Sequence, residues 1–384
     1  MKTWRTTTSV LLSLLLLFIS CSAANFPLPD TEPKYIFLFI GDGMGANHIL
    51  AAGSYAESEA GVAAGASPLR FDDFPVSGMA TTHNYWGMIT DSAAAATAIA
   101  SGRKTSNGVI NMNPAKTERF LILSEIMRDK GFRVGIISNT ALNSATPAAF
   151  FASSPSRDDN YDIATQLAHS SFDYFGGGGL VEPRGADGTQ PDAFGIATDQ
   201  GFEVVRDKAG FLALVPGNGR VFVTNEILDG SASMAYALNR ESGDLSLADF
   251  TQKGIDLLSG GDGFFMMVEG GKIDKASHSN NAELMVHEVL DLDAAIGRAL
   301  SFYESHPDDT LIVVTSDHET GGLTIAEGSG FDYGRLSWST TGHTGQAVRV
   351  FALGLGQELF SGSYDNTGIF DRLKALLVRR SLWE

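Results

Sequence analysis

Four segments of the chain carry side chains whose types and spacing suit metal-assisted hydrolysis. In Gly41-Asp42-Gly43-Met44-Gly45 a carboxylate stands among glycines, which allow backbone to approach a ligand closely. In Thr90-Asp91-Ser92-Ala93-Ala94-Ala95-Ala96 a polar pair precedes a run of the best helix former, so Asp91 or Ser92 is expected to cap a helix. A serine there is also placed for nucleophilic attack, because the positive end of a helix favours an alkoxide and binds phosphate oxygens. No histidine lies near Ser92 in sequence, and activation by a metal ion is the natural substitute for a base. The run Val268 to His278 holds Glu269 and then Asp274 and His278, four residues apart, on one face of any helix that begins there. Asp317-His318 follows a further apolar run, with His343 in Gly342-His343-Thr344-Gly345. Asp42, Glu269, Asp274, His278, Asp317, His318 and His343 are too many ligands for one tetrahedral zinc and indicate a cluster of ions. Each piece also has a structural reading: a turn at Asp42, a surface ion pair of Asp274 with His278, a helix cap at Asp317, a buried imidazole at His343.

The elements that must position these groups are legible around them. Tyr35 to Ile40, Arg133 to Ser138, Arg220 to Thr224, Gly263 to Val268, Thr310 to Thr315 and Val348 to Leu353 read as core strands bounded by turn residues. Helical patterns lie between them at 93–100, 120–130, 281–303 and 369–378. This alternation implies a three-layer α/β/α sandwich around a largely parallel sheet. Ligands of such sheets bind outside the carboxyl ends of the strands, where Asp42, Glu269 and Asp317 stand. Residues 176–219 and 327–341, rich in turn formers, are expected to be irregular insertions in a single catalytic domain spanning 25–384.

Residues 1–24 read as a secretory signal, with Lys2 and Arg5 ahead of the apolar run Val10 to Ile19 and small residues after it. Two exits are open: cleavage after Ala24, or lipidation of Cys21, which would tether the protein to a membrane. Export to the periplasm, the exterior or a lipid anchor at the cell envelope follows. Cys21 is the only cysteine, so the mature chain has no internal disulfide and no thiolate nucleophile or metal ligand. Loss of Lys2 and Arg5 with the leader takes the formal net charge from −18 to −20. An acidic surface of that kind argues against a nucleic-acid partner, and none is expected; it would also repel phosphate esters unless cations sit in the site.

These segments, with Ala145-Thr146-Pro147-Ala148-Ala149 and Arg157 ten residues beyond Pro147, resemble the motifs of alkaline phosphatases and stand in the same order over about 300 of 384 residues. The resemblance implies the alkaline-phosphatase fold and hydrolysis of small phosphate monoesters through a phosphoserine on Ser92. It implies two zinc ions, one held by Asp274, His278 and His343, the other by Asp42, Asp317, His318 and the Ser92 oxygen. A magnesium ion would be shared by Asp42, Thr146 and Glu269. Arg157 would grip the phosphate, its planar fork matching two oxygens, and Lys275 would donate to it directly or through water. The simpler readings are an ion pair of Arg157 with Asp158 or Asp159 and a solvated Lys275. A homodimer is left open. The chain departs from the family at Ser144, where relatives commonly carry Asp or His, so magnesium is expected to bind weakly; at Thr320 some relatives carry another histidine. The competing functions are a phosphodiesterase or sulfatase on the same fold, and a non-catalytic phosphate- or metal-binding lipoprotein.

Overall fold

The computed structural model describes residues 28–61, 69–217 and 219–377. The secretory signal and Cys21 lie outside the described residues. In chain order the strands are β1 (Tyr35–Gly41), β2 (Val76–Thr81), β3 (Arg133–Ser138), β4 (Tyr174–Gly177), β5 (Phe202–Val205), β6 (Arg220–Thr224) and β7 (Phe264–Gly270). They continue with β8 (Thr310–Thr315), β9 (Glu319–Thr320), β10 (Leu323–Ile325), β11 (Leu336–Trp338), β12 (His343–Thr344), β13 (Val348–Gly354) and β14 (Gly362–Asp365). Ten of these form one sheet in the order β14-β2-β13-β8-β1-β7-β3-β4-β6-β5. Pairing is parallel throughout except at β13, which runs antiparallel to both β8 and β2.

The sheet is covered on both faces, which is why its strands read as continuous apolar runs. Alternate residues of β1 point to opposite sides: Ile36, Leu38 and Ile40 join a core with Ala96 and Ile99 of the helix Ser92–Ser101 and with Leu167 and Phe222. Phe37 and Phe39 join a second core with Ile49, Leu258, Leu292 and Ile296. All ten residues of the helix Ser92–Ser101 are buried, and a run of alanines suits this because the small side chains let the helix sit close to its neighbours. Asp91 caps it, accepting from the Ala94 amide, and Gly102 ends it in the left-handed conformation.

Register places the chemistry in one row. Ile40 pairs with Glu269 on one side and Thr315 on the other, and Glu269 pairs with Ser138. The carboxyl ends of β8, β1, β7 and β3 therefore lie side by side, and the residues that follow them face a common edge.

The six expected core strands form, those at 133–138, 220–224 and 310–315 with the expected ends and the other three with ends shifted by one or two residues. The expectation for 176–219 is corrected. Beyond the end of β4 it carries the helix Ala193–Asp199, β5 and the helix Lys208–Ala213, which complete one edge of the sheet. Elements of four to seven residues are too short for their periodicity to stand out against a background of Gly, Pro and Asp. In 327–341 a three-residue 3-10 turn, Tyr333–Arg335, leads into β11, which pairs with β10 outside the main sheet.

Candidate active site

Asp42 and the Asp317-His318 pair leave β1 and β8 side by side and converge on Ser92, the first residue of its helix. His318 Nε2 lies 3.5 Å from Asp42 Oδ1, 3.2 Å from Asp317 Oδ2 and 3.2 Å from Ser92 Oγ. Backbone groups hold the other oxygen of Asp317, which accepts from the amides of Gly43 at 3.1 Å and His318 at 2.9 Å. Gly43 can make this approach because its φ is +72° and an added Cβ would come within 3.0 Å of the backbone of Asp274.

A second cluster adjoins the first. Asp274 and His278 lie one turn apart on the helix Lys272–His278, with Asp274 Oδ2 3.2 Å from His278 Nε2. His343 Nε2 is 3.2 Å from His278 Nε2 and 3.6 Å from Asp274 Oδ1. The His318 ring stacks on that of His343 with centroids 3.6 Å apart, so His318 borders both clusters.

Hydrogen bonds fix which atoms face inward. His278 Nδ1 meets the Thr341 carbonyl and His343 Nδ1 meets the Thr90 carbonyl at 2.9 Å. A carbonyl only accepts, so both Nδ1 atoms donate; the hydrogen bond to Asp274 raises His278 to about 9, so its Nε2 also carries a proton, while His343 Nε2 turns its lone pair inward. Thr320 gives its proton to Asp274 Oδ1, which leaves its oxygen to accept from His318 Nδ1 at 3.3 Å and turns the His318 Nε2 lone pair toward Ser92. Asp42 Oδ1 and Asp317 Oδ2 are buried and accept no hydrogen bond. Carboxylate oxygens and imidazole nitrogens thus converge, and this set fits divalent cations bound by oxygen and nitrogen. Atoms of Asp42, Asp317 and His318, and likewise of Asp274, His318 and His343, lie within 4.8 Å of one another.

The electrostatics agree. Burial, then the charges of Asp317, Asp274 and Glu269, push the Asp42 carboxyl well above its ordinary range. Burial and the neighbouring Asp274 raise Asp317 to about 8. Burial opposes ionisation of Asp274 too, but the hydrogen bond from His278 and the nearby imidazoles hold it below the usual carboxylate range.

Beside these clusters a cleft of about 70 Å³ is lined by Asp42, Ser92, Ser144, Thr146, Arg157, Glu269 and Lys275, among others. Thr146, in the one-turn helix Ala145–Ala148, donates to Asp42 Oδ2 at 3.4 Å. Glu269 Oε2 accepts from Thr140 at 3.1 Å and from Ser138, and burial raises its pKa. Arg157 pairs with Asp91, Nη1 to Oδ2 at 3.1 Å, and not with the Asp158 or Asp159 of the simpler reading. Lys275 donates to Ser231 at 3.0 Å and Ser233 at 2.9 Å and is not a free solvated lysine.

All the expected site residues thus lie in or against one region. Sequence reading missed the residues that orient them: Thr320 on Asp274 and His318, Ser138 and Thr140 on Glu269, Asp91 on Arg157, and the serines on Lys275. Asp91 and Thr320 stood in the quoted motifs, but Ser138, Thr140, Ser231 and Ser233 carried no signal.

The family profile described as "Alkaline phosphatase" matches residues 33–336. The chain is similar to the alkaline phosphatase of Escherichia coli K12, at 30% identity over 93% of this chain and 88% of that protein. It is 32% identical to Alkaline phosphatase 4 of Drosophila melanogaster over 75% of this chain, and spans 56% of that longer protein. The fold is similar to that of a variant alkaline phosphatase from the Antarctic bacterium TAB5, with Mg bound in its M3 site. That match has a TM-score of 0.76 and 31% identity, and covers 90% of this chain and 98% of the other.

Proposed function

The chain belongs to the alkaline phosphatase family and is a phosphomonoester hydrolase, and from that premise we propose that it works through a covalent phosphoserine on Ser92. The observation that carries this reading is the Ser92 hydroxyl, 3.2 Å from His318 Nε2 and at the mouth of two carboxylate–imidazole clusters.

Two zinc ions fit these clusters, Asp274, His278 and His343 holding one and Asp42, Asp317 and His318 the other. Magnesium fits Asp42, Thr146 and Glu269, a hard-oxygen set, in keeping with the Mg in the M3 site of the TAB5 variant. When bound, such ions would favour the ionised forms of the serine and of water and neutralise charge on the departing oxygen.

The remaining work falls to the chain itself. The Ser92 Oγ gives up its proton to water and attacks phosphorus as the bond from phosphorus to the alcohol oxygen breaks; the alcohol leaves with a proton drawn from water, so none is gained or lost overall. Water then attacks the phosphoserine, the Oγ–phosphorus bond breaks, Ser92 regains its proton and inorganic phosphate departs. Two in-line displacements retain configuration at phosphorus. The amino end of the helix Ser92–Ser101 favours negative charge at the serine throughout. Arg157, steadied by Asp91, holds two non-bridging oxygens, which selects a dianionic monoester over a diester or a sulfate. The family and its named relatives also weigh against the diesterase and sulfatase readings. Export follows from the leader. No helix among the described residues is long and apolar enough to cross a membrane.

The test is hydrolysis of p-nitrophenyl phosphate beside bis-p-nitrophenyl phosphate and p-nitrophenyl sulfate, before and after chelation, with acid-quenched peptide mapping. Metal-dependent monoester preference with phosphate on Ser92 is expected. Phosphate on another residue, or turnover in metal-free protein, overturns the reading.

A further inference from the structure

The amine of Lys275 is held by a loop that no motif marked. Its Nζ donates to Ser231 Oγ at 3.0 Å and Ser233 Oγ at 2.9 Å, and the two hydroxyl oxygens are 3.0 Å apart. Ser231 Oγ in turn donates to Asp229 Oδ1 at 2.7 Å. With its proton committed to the carboxylate, Ser231 can only accept from Ser233, so the hydroxyls point one way, from Lys275 through Ser233 and Ser231 to Asp229. The charge of Asp229 therefore polarises both oxygens toward the ammonium without touching it.

The loop is built to keep this shape. Asp229 Oδ1 also accepts from the amides of Ser231 at 2.8 Å and Ser233 at 3.0 Å, and Asp229 Oδ2 takes the buried Lys272 Nζ at 2.9 Å. The Ala232 carbonyl accepts from the Gly179 amide and the Asn139 carbonyl from the Met234 amide, tying the loop to the ends of β4 and β3. Ala232 adopts φ +56°, a conformation a non-glycine residue takes only where its surroundings enforce it.

An ammonium has three donors. Two are spent on the serines, and Lys275 lines the cleft that also holds Ser92 and Arg157. We infer that Ser231 and Ser233, polarised by Asp229, are positioning residues that aim the third N–H of Lys275 at a phosphate oxygen. The inference rests on the reading of this cleft as the monoester site.

A double-mutant cycle tests it, using the zinc- and magnesium-loaded enzyme, p-nitrophenyl phosphate as substrate and inorganic phosphate as inhibitor. Ser231→Ala with Ser233→Ala is expected to raise KM and the phosphate inhibition constant about tenfold, with a smaller effect on kcat. Lys275→Ala should do the same, and adding the serine changes to it should cost nothing more. Ser231 is exposed, so Ser231→Ala alone is expected to fold and show part of the loss, which Ser231→Thr should restore. Additive losses in the triple variant, or wild-type KM and phosphate inhibition in the serine variants, overturn the inference while leaving the phosphatase reading intact. A wild-type enzyme without monoesterase activity would instead remove the reading beneath it.

Discussion

Arg157 Nη1 sits 3.1 Å from Asp91 Oδ2, and the other oxygen of Asp91 accepts from the Ala94 amide at 3.0 Å. One carboxylate thus caps the helix that begins with Ser92 and steadies the guanidinium opposite. It also accepts from the Gly108 amide at 2.9 Å, whose own carbonyl takes the Arg157 amide at 2.7 Å. The proposed nucleophile and the proposed phosphate clamp are therefore tied together by one connected set of hydrogen bonds.

Asp91→Ala is expected to lower stability by about 1 kcal/mol through loss of the cap and to weaken inhibition by inorganic phosphate through a loosened Arg157. Denaturant melts and inhibition constants measured together check this. Unchanged phosphate inhibition beside the stability loss would confine Asp91 to capping.

Arg157→Lys replaces a planar fork with a point charge. Monoester hydrolysis and phosphate inhibition should both fall by about tenfold or more, and residual diester hydrolysis should suffer less. Equal losses on the two substrates would mean that Arg157 serves the fold or a general field and does not read the dianion.

Ser92→Ala should reduce turnover by about a thousandfold or more while elemental analysis finds metal content nearly intact, because the ligand clusters stand without it. Near-normal steady-state turnover would remove the proposed mechanism.

Removal of metal should inactivate the enzyme reversibly, zinc restoring most activity and magnesium adding to it. The buried Asp42 Oδ1 and Asp317 Oδ2, which accept no hydrogen bond, give the reason. Magnesium alone restoring full activity would reassign the two clusters.

Ser144 lines the cleft beside Thr146 and Glu269 with a neutral hydroxyl. A carboxylate beside the ion orients the waters that magnesium retains, so Ser144→Asp should raise magnesium affinity with little change in zinc content. The new charge would also compete with Ser231 and Ser233 for Lys275 and so lower turnover. Magnesium titration of zinc-reconstituted protein decides: equal affinities in wild type and variant would show that Ser144 is not the weak point.

The sequence by itself determined which residues stand at the working edge of the sheet. Apolar runs ending at Asp42, Glu269 and Asp317 located the carboxyl ends of β1, β7 and β8, because burial on both faces leaves a signal within a few residues. The polar pair before the alanine run located the helix start at Ser92 for the same local reason. The tertiary structure alone decided how these groups are oriented. The carbonyls of Thr90 and Thr341 turn two histidines inward, Asp91 and not Asp158 or Asp159 takes Arg157, and Ser231 and Ser233 hold Lys275. Short edge elements such as β5 were hidden likewise, since four residues show little periodicity. The partners of Lys275 lie 42 and 44 residues away and that of Arg157 lies 66 away. A hydrogen bond across such distances depends on where loops bring two side chains, and neither spacing nor residue type records that.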